Sequence, residues 1–418
     1  MKLILFEDLG YRDLLPLTYF RPVWDLRCGA LTLAEKTAFL SKSPLYGLSR
    51  TYLMKSFQKN VSAFDTIGDD ETALFLNGRW LPDAGSIQKI EQLSSGQTIV
   101  YEDSALAFCA TIGEAKKVLS DDGTVDVARL AERFQPLSHE TIMSGKPMLF
   151  RYPWDLIRLN AEQITLDAKN YAQLGTVEGT LRAGVHILVP ENVAIAKGAT
   201  IQPGVVINAE NGPVWIDEDA TVMANSVLVG PLYIGKKSTI KIAAKIYENT
   251  SIGPVCKVGG EVEGCIIHGY SNKQHDGFLG HAYLAEWVNL GADTNNSDLK
   301  NNYGSVTVNI NGHPVNTGER FVGLIMGDHS KCAINTMFNT GTVVGACCNI
   351  FGAGMPPKFV PSFSWGGAEE LVAYKFEKAM AVAKIVMERR NINFTAETAA
   401  VFETVQHLAK EIESGTLL

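Results

Sequence analysis

Residues 271–281 read SNKQHDGFLGH and set Lys273, His275, Asp276 and His281 within eleven residues, beside two glycines. A second polar run, NLGADTNNSDLKNNYG, follows at 289–304. Hydrogen-bonding side chains at this density have little reason to enter a core. The chemistry they could support is acyl transfer to an amine. The attacking amine must lose a proton, and an imidazole with an ordinary pKa of about 6.5 can take it near neutral pH. The developing oxyanion needs a donor, and a phosphate on the acceptor needs a cation or several N–H groups. His275 is the candidate base. The plainer alternative is that these residues cap turns and bond neighbouring repeats. The six-residue spacing of His275 and His281 is weak evidence for a metal. A third cluster, GDHSKCAINTMFNTG at 327–341, brings His329, Lys331, Asn335 and Asn339 onto a neighbouring repeat. Lys331 could meet a phosphate or, with Asn335, a cofactor. Arg389–Arg390 reads as support for a helix end.

What positions these residues is a repeat. Ile216, Val222, Leu228, Ile234, Ile240, Ile246, Ile252 and Val258 fall six apart without a gap. Four positions after each of the first seven come Ala220, Ser226, Leu232, Ser238, Ala244, Thr250 and Cys256, all small except Leu232. The rhythm already runs at Val189, Ile195, Ile201 and Ile207, and NAENGPVW adds three residues before Ile216. A helix repeats at 3.6 and a strand at 2. A period of six predicts a solenoid of short strands, three to a triangular coil, with the large residue inside each face and the small one near each corner. After Val258 the rhythm loosens, with coil-like pieces at Leu284, Leu290, Ile325, Ile334 and Val344 between Gly- and Asn-rich insertions.

The two ends differ. MKLILF, TALFLNG and TIVYE read as strands, and DVARLAERF and YPWDLIRLNAEQITLDAKNY as helices. That alternation predicts an α/β domain with a largely parallel sheet over 1–170, its last helix leading into the solenoid. The solenoid spans 171–367. Residues 368–418 predict two helices, one over 369–390 and one from an N-cap at Thr395 to a stop at Gly415, closing the open end of the coil stack.

The 418 residues carry a net charge of -8, which argues against a broad nucleic-acid-binding surface. Seven cysteines with no CxxC pair read as reduced, buried residues of a cytoplasmic protein. No window carries eighteen uncharged apolar residues, so no membrane span is expected.

On these residues the chain resembles the bifunctional N-acetylglucosamine-1-phosphate uridylyltransferase/glucosamine-1-phosphate N-acetyltransferase family, in its divergent bacterial branch. The likeness is strongest over 255–367 and over RPVWDLRCGALTLAEK, 21–36. It implies a nucleotidyltransferase-like α/β domain, a left-handed parallel β-helix and a homotrimer with acetyl-CoA between subunits. The family's Lys-x-x-His segment puts the catalytic histidine on His275, and its asparagine fourteen residues later on Asn289. Asn302, Tyr303 and Gly304 resemble its Asn-Tyr-Asp-Gly motif without the Asp. Lys273 resembles the substrate-binding lysine, one position closer. Phe278 replaces a tyrosine, and Lys257 stands near the arginine that holds the sugar phosphate.

The N-terminal half departs further. FEDLGYRDLLPLTYFRP lacks the Gly-rich, Arg-containing phosphate loop, although Arg12, Arg21, Asp25 and Arg27 could build a phosphate site of another shape. LFLNGRWLP puts Arg79 where the family has a metal-binding Asp. A cation cannot hold Mg²⁺, so Mg²⁺ use and uridylyl transfer require Asp83 or Asp25 as a substitute. The reading is an acetyl-CoA-dependent N-acetyltransferase for an amino-sugar phosphate. Lys257, Lys273, Asn289, Asn302 and Tyr303 bind the acceptor. Arg12, Arg21, Asp25, Arg27 and Arg79 remain for a nucleotide sugar. The rivals are a nucleotidyltransferase with a β-helix for assembly, and a non-catalytic nucleotide-sugar binding module.

Overall fold

The computed structural model describes residues 1–54 and 61–413. The N-terminal domain is built on a seven-stranded sheet. Its strands are β1 (Lys2–Phe6), β2 (Leu45–Leu48), β3 (Ser62–Ala63), β4 (Thr72–Asn77), β5 (Gln97–Tyr101), β6 (Ser104–Thr111) and β7 (Gln135–Ser138). They lie in the order β7-β5-β6-β4-β1-β2-β3, and β6 alone is antiparallel to its neighbours. β1 is buried along almost its whole length, as a central strand covered on both faces must be.

The linker helix α1 (Pro153–Tyr171) begins with Pro at N1, a position that needs no backbone donor. Asp155 accepts from the Tyr152 N–H at 3.0 Å. The helix buries Leu156, Asn160, Gln163, Ile164 and Asp167, which recur at three- and four-residue spacing. Asn160 pins the helix to both domains. Its Oδ1 accepts from Gly29 N and Ser251 Oγ, and its Nδ2 donates to Asn249 O. Gly29 has a φ of +82°, and a Cβ there would stand 2.7 Å from the Gln163 carbonyl carbon, so this approach needs glycine.

From Thr180 the chain winds into a left-handed parallel β-helix with three faces. One face runs through Thr221, Thr239 and Lys257, each eighteen residues after the last. The step from Thr200 to Thr221 is twenty-one, which locates the three added residues in NAENGPVW. Val222, Ile240 and Val258 point inward with no exposure, each such burial contributing ~1.5–3 kcal/mol. The small residues lie at the corners; Ser238 Oγ donates to Gly253 O and accepts from Cys256 N. Asp219, Asn225, Lys237, Ala243, Asn249 and Val255 hold positive φ there, the sharp bend each corner requires.

The outer side of a second face carries Tyr233, Ser251, Ile266, Tyr283, Ile325 and Val343. Ile266, Tyr283, Ile325 and Val343 share one apolar core with the N-terminal domain. We call this the seam face. Ile325 therefore points out of the coil, and Met326 fills its interior. Ile334, which marks a coil-like piece in the sequence, stands 66% exposed at a corner, and Cys332 takes the inward place.

The C-terminal segment also differs from expectation. Leu371–Ala373 forms a strand antiparallel to Ser364–Gly366, and this pairing closes the last coil. Helix α2 (Phe376–Glu388) starts seven residues later than expected, and α3 (Ala396–Glu413) follows. Thr395 Oγ1 accepts from Thr398 N, as an N-cap should; Gly415 lies outside the described residues. The helices cap the C-terminal end of the coil stack, as expected. They pack on Ala346, Cys347 and Phe363 of one corner and on Leu15, Tyr19 and Leu53 of the N-terminal domain. Glu413 accepts from Tyr19 Oη at 3.1 Å and from Ser362 Oγ at 2.6 Å.

His268 sits inside the seam, with Nδ1 3.2 Å from Tyr283 Oη and Nε2 3.4 Å from Asp25 Oδ2. Burial, helped by Arg21, pushes it down to about 4. The unfolded chain takes this proton first as pH falls, so the stability tied to His268 is lost between about 6.5 and 4. His268→Gln is expected to lose ~1–3 kcal/mol less than the parent over that window in urea unfolding. Parallel curves would refute this.

Candidate functional site

On the face that runs through Thr221, Thr239 and Lys257, which we call the polar face, Lys257 pairs with Asn272, Asn272 with Asn289, and Asn289 with Lys331. These outward positions stack at about 4.8 Å per coil. Asn272 Nδ2 donates to Asn289 Oδ1 at 3.4 Å. His275 stands three residues beyond Asn272, at the corner that ends the strand and within about 10 Å of it. It is exposed. Two coils below and two above, Ile242 and Ile334 are 60% and 66% exposed at the same corner. A cation, two amides and an accessible imidazole thus share one surface.

Four sequence expectations are corrected here. Lys273 lies in the inward column beside Val258. Its ammonium donates to Gly259 O at 3.1 Å and His275 O at 2.7 Å, and burial lowers its pKa to about 8. It shapes the His275 corner from inside rather than meeting an acceptor. Asn302 and Tyr303 belong to an insertion that leaves the solenoid at another corner, between Asn296 and Ile325. Asn302 Oδ1 accepts from Gly304 N in a turn, and Tyr303 is 68% exposed. Lys331 is drawn inward, donating to His329 O at 2.7 Å, and burial lowers it to about 8. Asn335 is exposed one residue past Ile334, on the His275 corner.

The charge on Lys273 carries a testable cost. Its lowered pKa means the folded state disfavours the ammonium below about 8, and the cost fades as pH approaches 10.5. Lys273→Met should be more stable than the parent by ~1–3 kcal/mol near pH 7, with the gap closing by pH 10. A gap independent of pH would overturn this assignment of the charge.

The N-terminal cations are dispersed rather than clustered. Arg21 is buried in the seam: NH1 donates to Asp328 Oδ2 at 3.0 Å, NH2 bonds Asp328 Oδ1, and Glu286 lies 3.2 Å away. Asp25 accompanies Arg21 and His268 there. Arg27 donates to His268 O and Ala30 O, with its guanidinium 5.9 Å from the Tyr233 ring centroid. Arg12 is half-buried beside Tyr11, and Asn311 donates to its carbonyl. Of the four arginines named from the sequence, Arg79 lines the cleft of about 430 Å³ at the C-terminal ends of β1 and β4, where open α/β sheets bind ligands, and Arg151 lines it as well.

Arg79 holds both Asp8 oxygens, at 3.0 and 2.8 Å, and reaches Ser104 Oγ and Phe150 O. Asp103 is paired with Arg151 at 3.0 Å. Mg²⁺ needs free carboxylate oxygens. Here a guanidinium occupies the position between them, and no group of three metal-ligating side chains occurs among the described residues. Asp83, the proposed substitute, caps a helix by accepting from Ser86 N at 2.8 Å, and Asp25 lies in the seam. These residues do not fit the ion.

The structure also brings together residues that spacing alone did not. His281 Nδ1 lies 2.8 Å from Asp298 Oδ2, in a pocket of about 470 Å³ with Trp154, Arg158, Arg320 and Phe321. Arg390, assigned to a helix end, donates to Asn272 Oδ1 at 2.9 Å. Burial, together with Arg390, Lys241 and Arg389, lowers the Lys257 pKa. The seventeen-residue interval from Asn272 to Asn289 was a usable signal for that pair; the return of Arg390 was not, because it depends on helix docking. All seven cysteines are buried and free, and burial holds Cys28, Cys256, Cys265 and Cys348 up near 12, so none is a poised nucleophile.

Residues 3–174 match the sugar nucleotidyl transferase family model. The chain is similar to a bifunctional sugar-1-phosphate nucleotidylyltransferase/acetyltransferase of Sulfurisphaera tokodaii, 32% identical over 48% of this chain and 43% of that protein. It is similar also to the bifunctional protein GlmU of Methanocaldococcus jannaschii, 31% identical over 47% of this chain and 41% of that one. The chain thus spans about half the length of the curated relatives it matches. Among solved structures, the Francisella novicida UDP-N-acetylglucosamine acyltransferase is 12% identical, covering 58% of this chain and 89% of that one at a TM-score of 0.27. No helix among the described residues is long and apolar enough to cross a membrane.

Proposed function

We propose that the chain is an acetyl-CoA-dependent N-acetyltransferase acting on an amino-sugar phosphate, with glucosamine 1-phosphate as the acceptor to test first. The observation that carries this reading is the register Lys257–Asn272–Asn289 on adjacent coils, with His275 at the end of the Asn272 strand. Lys257 and Arg390 take the phosphate, and the two asparagines orient the sugar. The amine attacks the thioester carbonyl, a C–N bond forms and the C–S bond breaks. His275 takes the amine proton and returns it to the departing thiolate. The exposed Ile242 and Ile334 beside His275 suit a corner where copies of the chain meet, so the proposed assembly is a homotrimer with acetyl-CoA between subunits. Buried, unpaired cysteines fit a cytoplasmic location.

The test is thiol release by the full chain from acetyl-CoA with and without glucosamine 1-phosphate. Release that requires the amine supports the reading. No release with this or any other amino-sugar phosphate refutes it. A second reading, favoured by the match over residues 3–174, is nucleotide-sugar binding in the Arg79 cleft without metal-dependent transfer. Mg²⁺-dependent pyrophosphate release from UTP and N-acetylglucosamine 1-phosphate would refute that one.

A further inference from the structure

A cavity of about 500 Å³ opens where α1 ends and the N-terminal domain stops covering the seam face. That volume falls within the usual range for small-molecule sites. Its floor is the outward side of that face. Ala194, Trp215 and Tyr233 stand there in register on three successive coils. Trp215 is half-buried, and its ring centroid lies 5.0 Å from that of Tyr233 with the planes 63° apart. Tyr171 from the end of α1 and Leu31 from the N-terminal domain add to the walls.

Arg27 is the member of these walls whose donors the fold does not use up. It is 6% exposed and borders the cavity. Its Nε donates to His268 O at 3.3 Å, Nη1 donates to Ala30 O, and the guanidinium lies 5.9 Å from the Tyr233 ring centroid. None of these partners is a carboxylate. Nη2 makes no hydrogen bond among the described residues, yet it is not sealed off. A guanidinium keeps its charge when buried, and its hydrogen bonds to an anion are of the strong, charge-assisted kind. Nη2 is therefore a ready donor to an anionic oxygen that enters the cavity.

The carboxylates that line the cavity are in a different state. Asp217 accepts from Tyr233 Oη at 2.9 Å and from Glu218 N at 2.8 Å. Glu218 pairs with Lys236 at 3.1 Å, and Glu35 accepts from Thr32 N at 2.7 Å and from Thr32 Oγ1 at 3.1 Å. Each is held by a partner in the chain and keeps lone pairs that a hydroxyl can use. Their charges also disfavour a ligand with several negative charges. One buried cationic donor, carboxylates with acceptor capacity to spare and an aromatic floor together match a small ring with several hydroxyls and one anionic group.

We propose that this cavity binds a monosaccharide bearing one anionic group, with that group on Arg27 Nη2, the ring against Trp215 and the hydroxyls on Asp217 and Glu35. The site lies within one chain, on a different face from His275, and does not depend on the acyl-transfer reading. The experiment is calorimetric titration of the full chain with glucuronate and glucose 1-phosphate, beside glucose, acetate and orthophosphate. At least one of the two anionic sugars is expected to bind about ten-fold or more tightly than glucose. Which one does so tells whether the anionic group is a carboxylate or a phosphate ester. Arg27→Gln should bring that sugar down to the glucose level. Arg27 also joins the two domains, so Trp215→Ala is the second variant. It should weaken the anionic sugar by about ten-fold with the melting curve unchanged.

No saturable binding of either anionic sugar up to about 1 mM would overturn the proposal. So would binding that Trp215→Ala leaves unchanged, or binding that acetate or orthophosphate reproduces alone. Sugar binding at this site in a chain without thiol release upholds this proposal and counts against the one above; thiol release without it does the reverse.

Discussion

Arg21→Met is expected to cost about 3–5 kcal/mol in urea unfolding, enough to leave the chain marginal or unfolded. The guanidinium is 1% exposed and lies among Asp328, Glu286 and Asp25. Burial works against its charge, and those carboxylates hold its pKa above the ordinary value nonetheless. Removing it takes away the cation that Asp328, Glu286 and Asp25 share between the two domains. The penalty comes from the loss of that charge and not from the lost contacts, so the double variant Arg21→Met/Asp328→Asn should recover part of the loss. A double variant no more stable than Arg21→Met would show that the charge balance is not the cause.

His275→Ala is expected to lower kcat/KM for thiol release by about 10²–10⁴, the range for a general base, with the melting curve unchanged. His275 is exposed and its side chain holds no fold contact comparable to those of Arg21, which is why activity and stability should separate. His281→Ala is the informative control. His281 is oriented by Asp298 in a pocket at the next corner, an arrangement that also suits a base. If His281→Ala abolishes turnover and His275→Ala does not, the base has been assigned to the wrong corner.

The β-helix was legible because its period of six belongs to no helix or single strand, and the inward column at Val222, Ile240 and Val258 follows it directly. The α/β domain was legible from its strand–helix alternation. The site was read less well, for identifiable reasons. Lys273 sits in the inward column because the step from Lys257 to Asn272 is fifteen residues instead of eighteen, which shifts the pattern exactly where the polar residues begin. Arg21, Asp25 and Arg27 are near one another in sequence, but their partners lie more than two hundred residues away. Arg79 next to Asp8 could be noticed as a missing metal ligand; that it fills the cleft as a cation required the fold.

The bond between Tyr19 and Glu413 joins residues 394 positions apart. On a ribosome adding roughly 5–20 residues per second, the N-terminal domain waits roughly 20–80 s before its last partner is made. For most of that interval the apolar surface at Leu15, Tyr19 and Leu53 lacks the coil corner and the helices that cover it. This protein's exposure to aggregation and its demand for a holding chaperone are therefore set by translation time, and a stalled or truncated transcript would release a chain with that surface still bare.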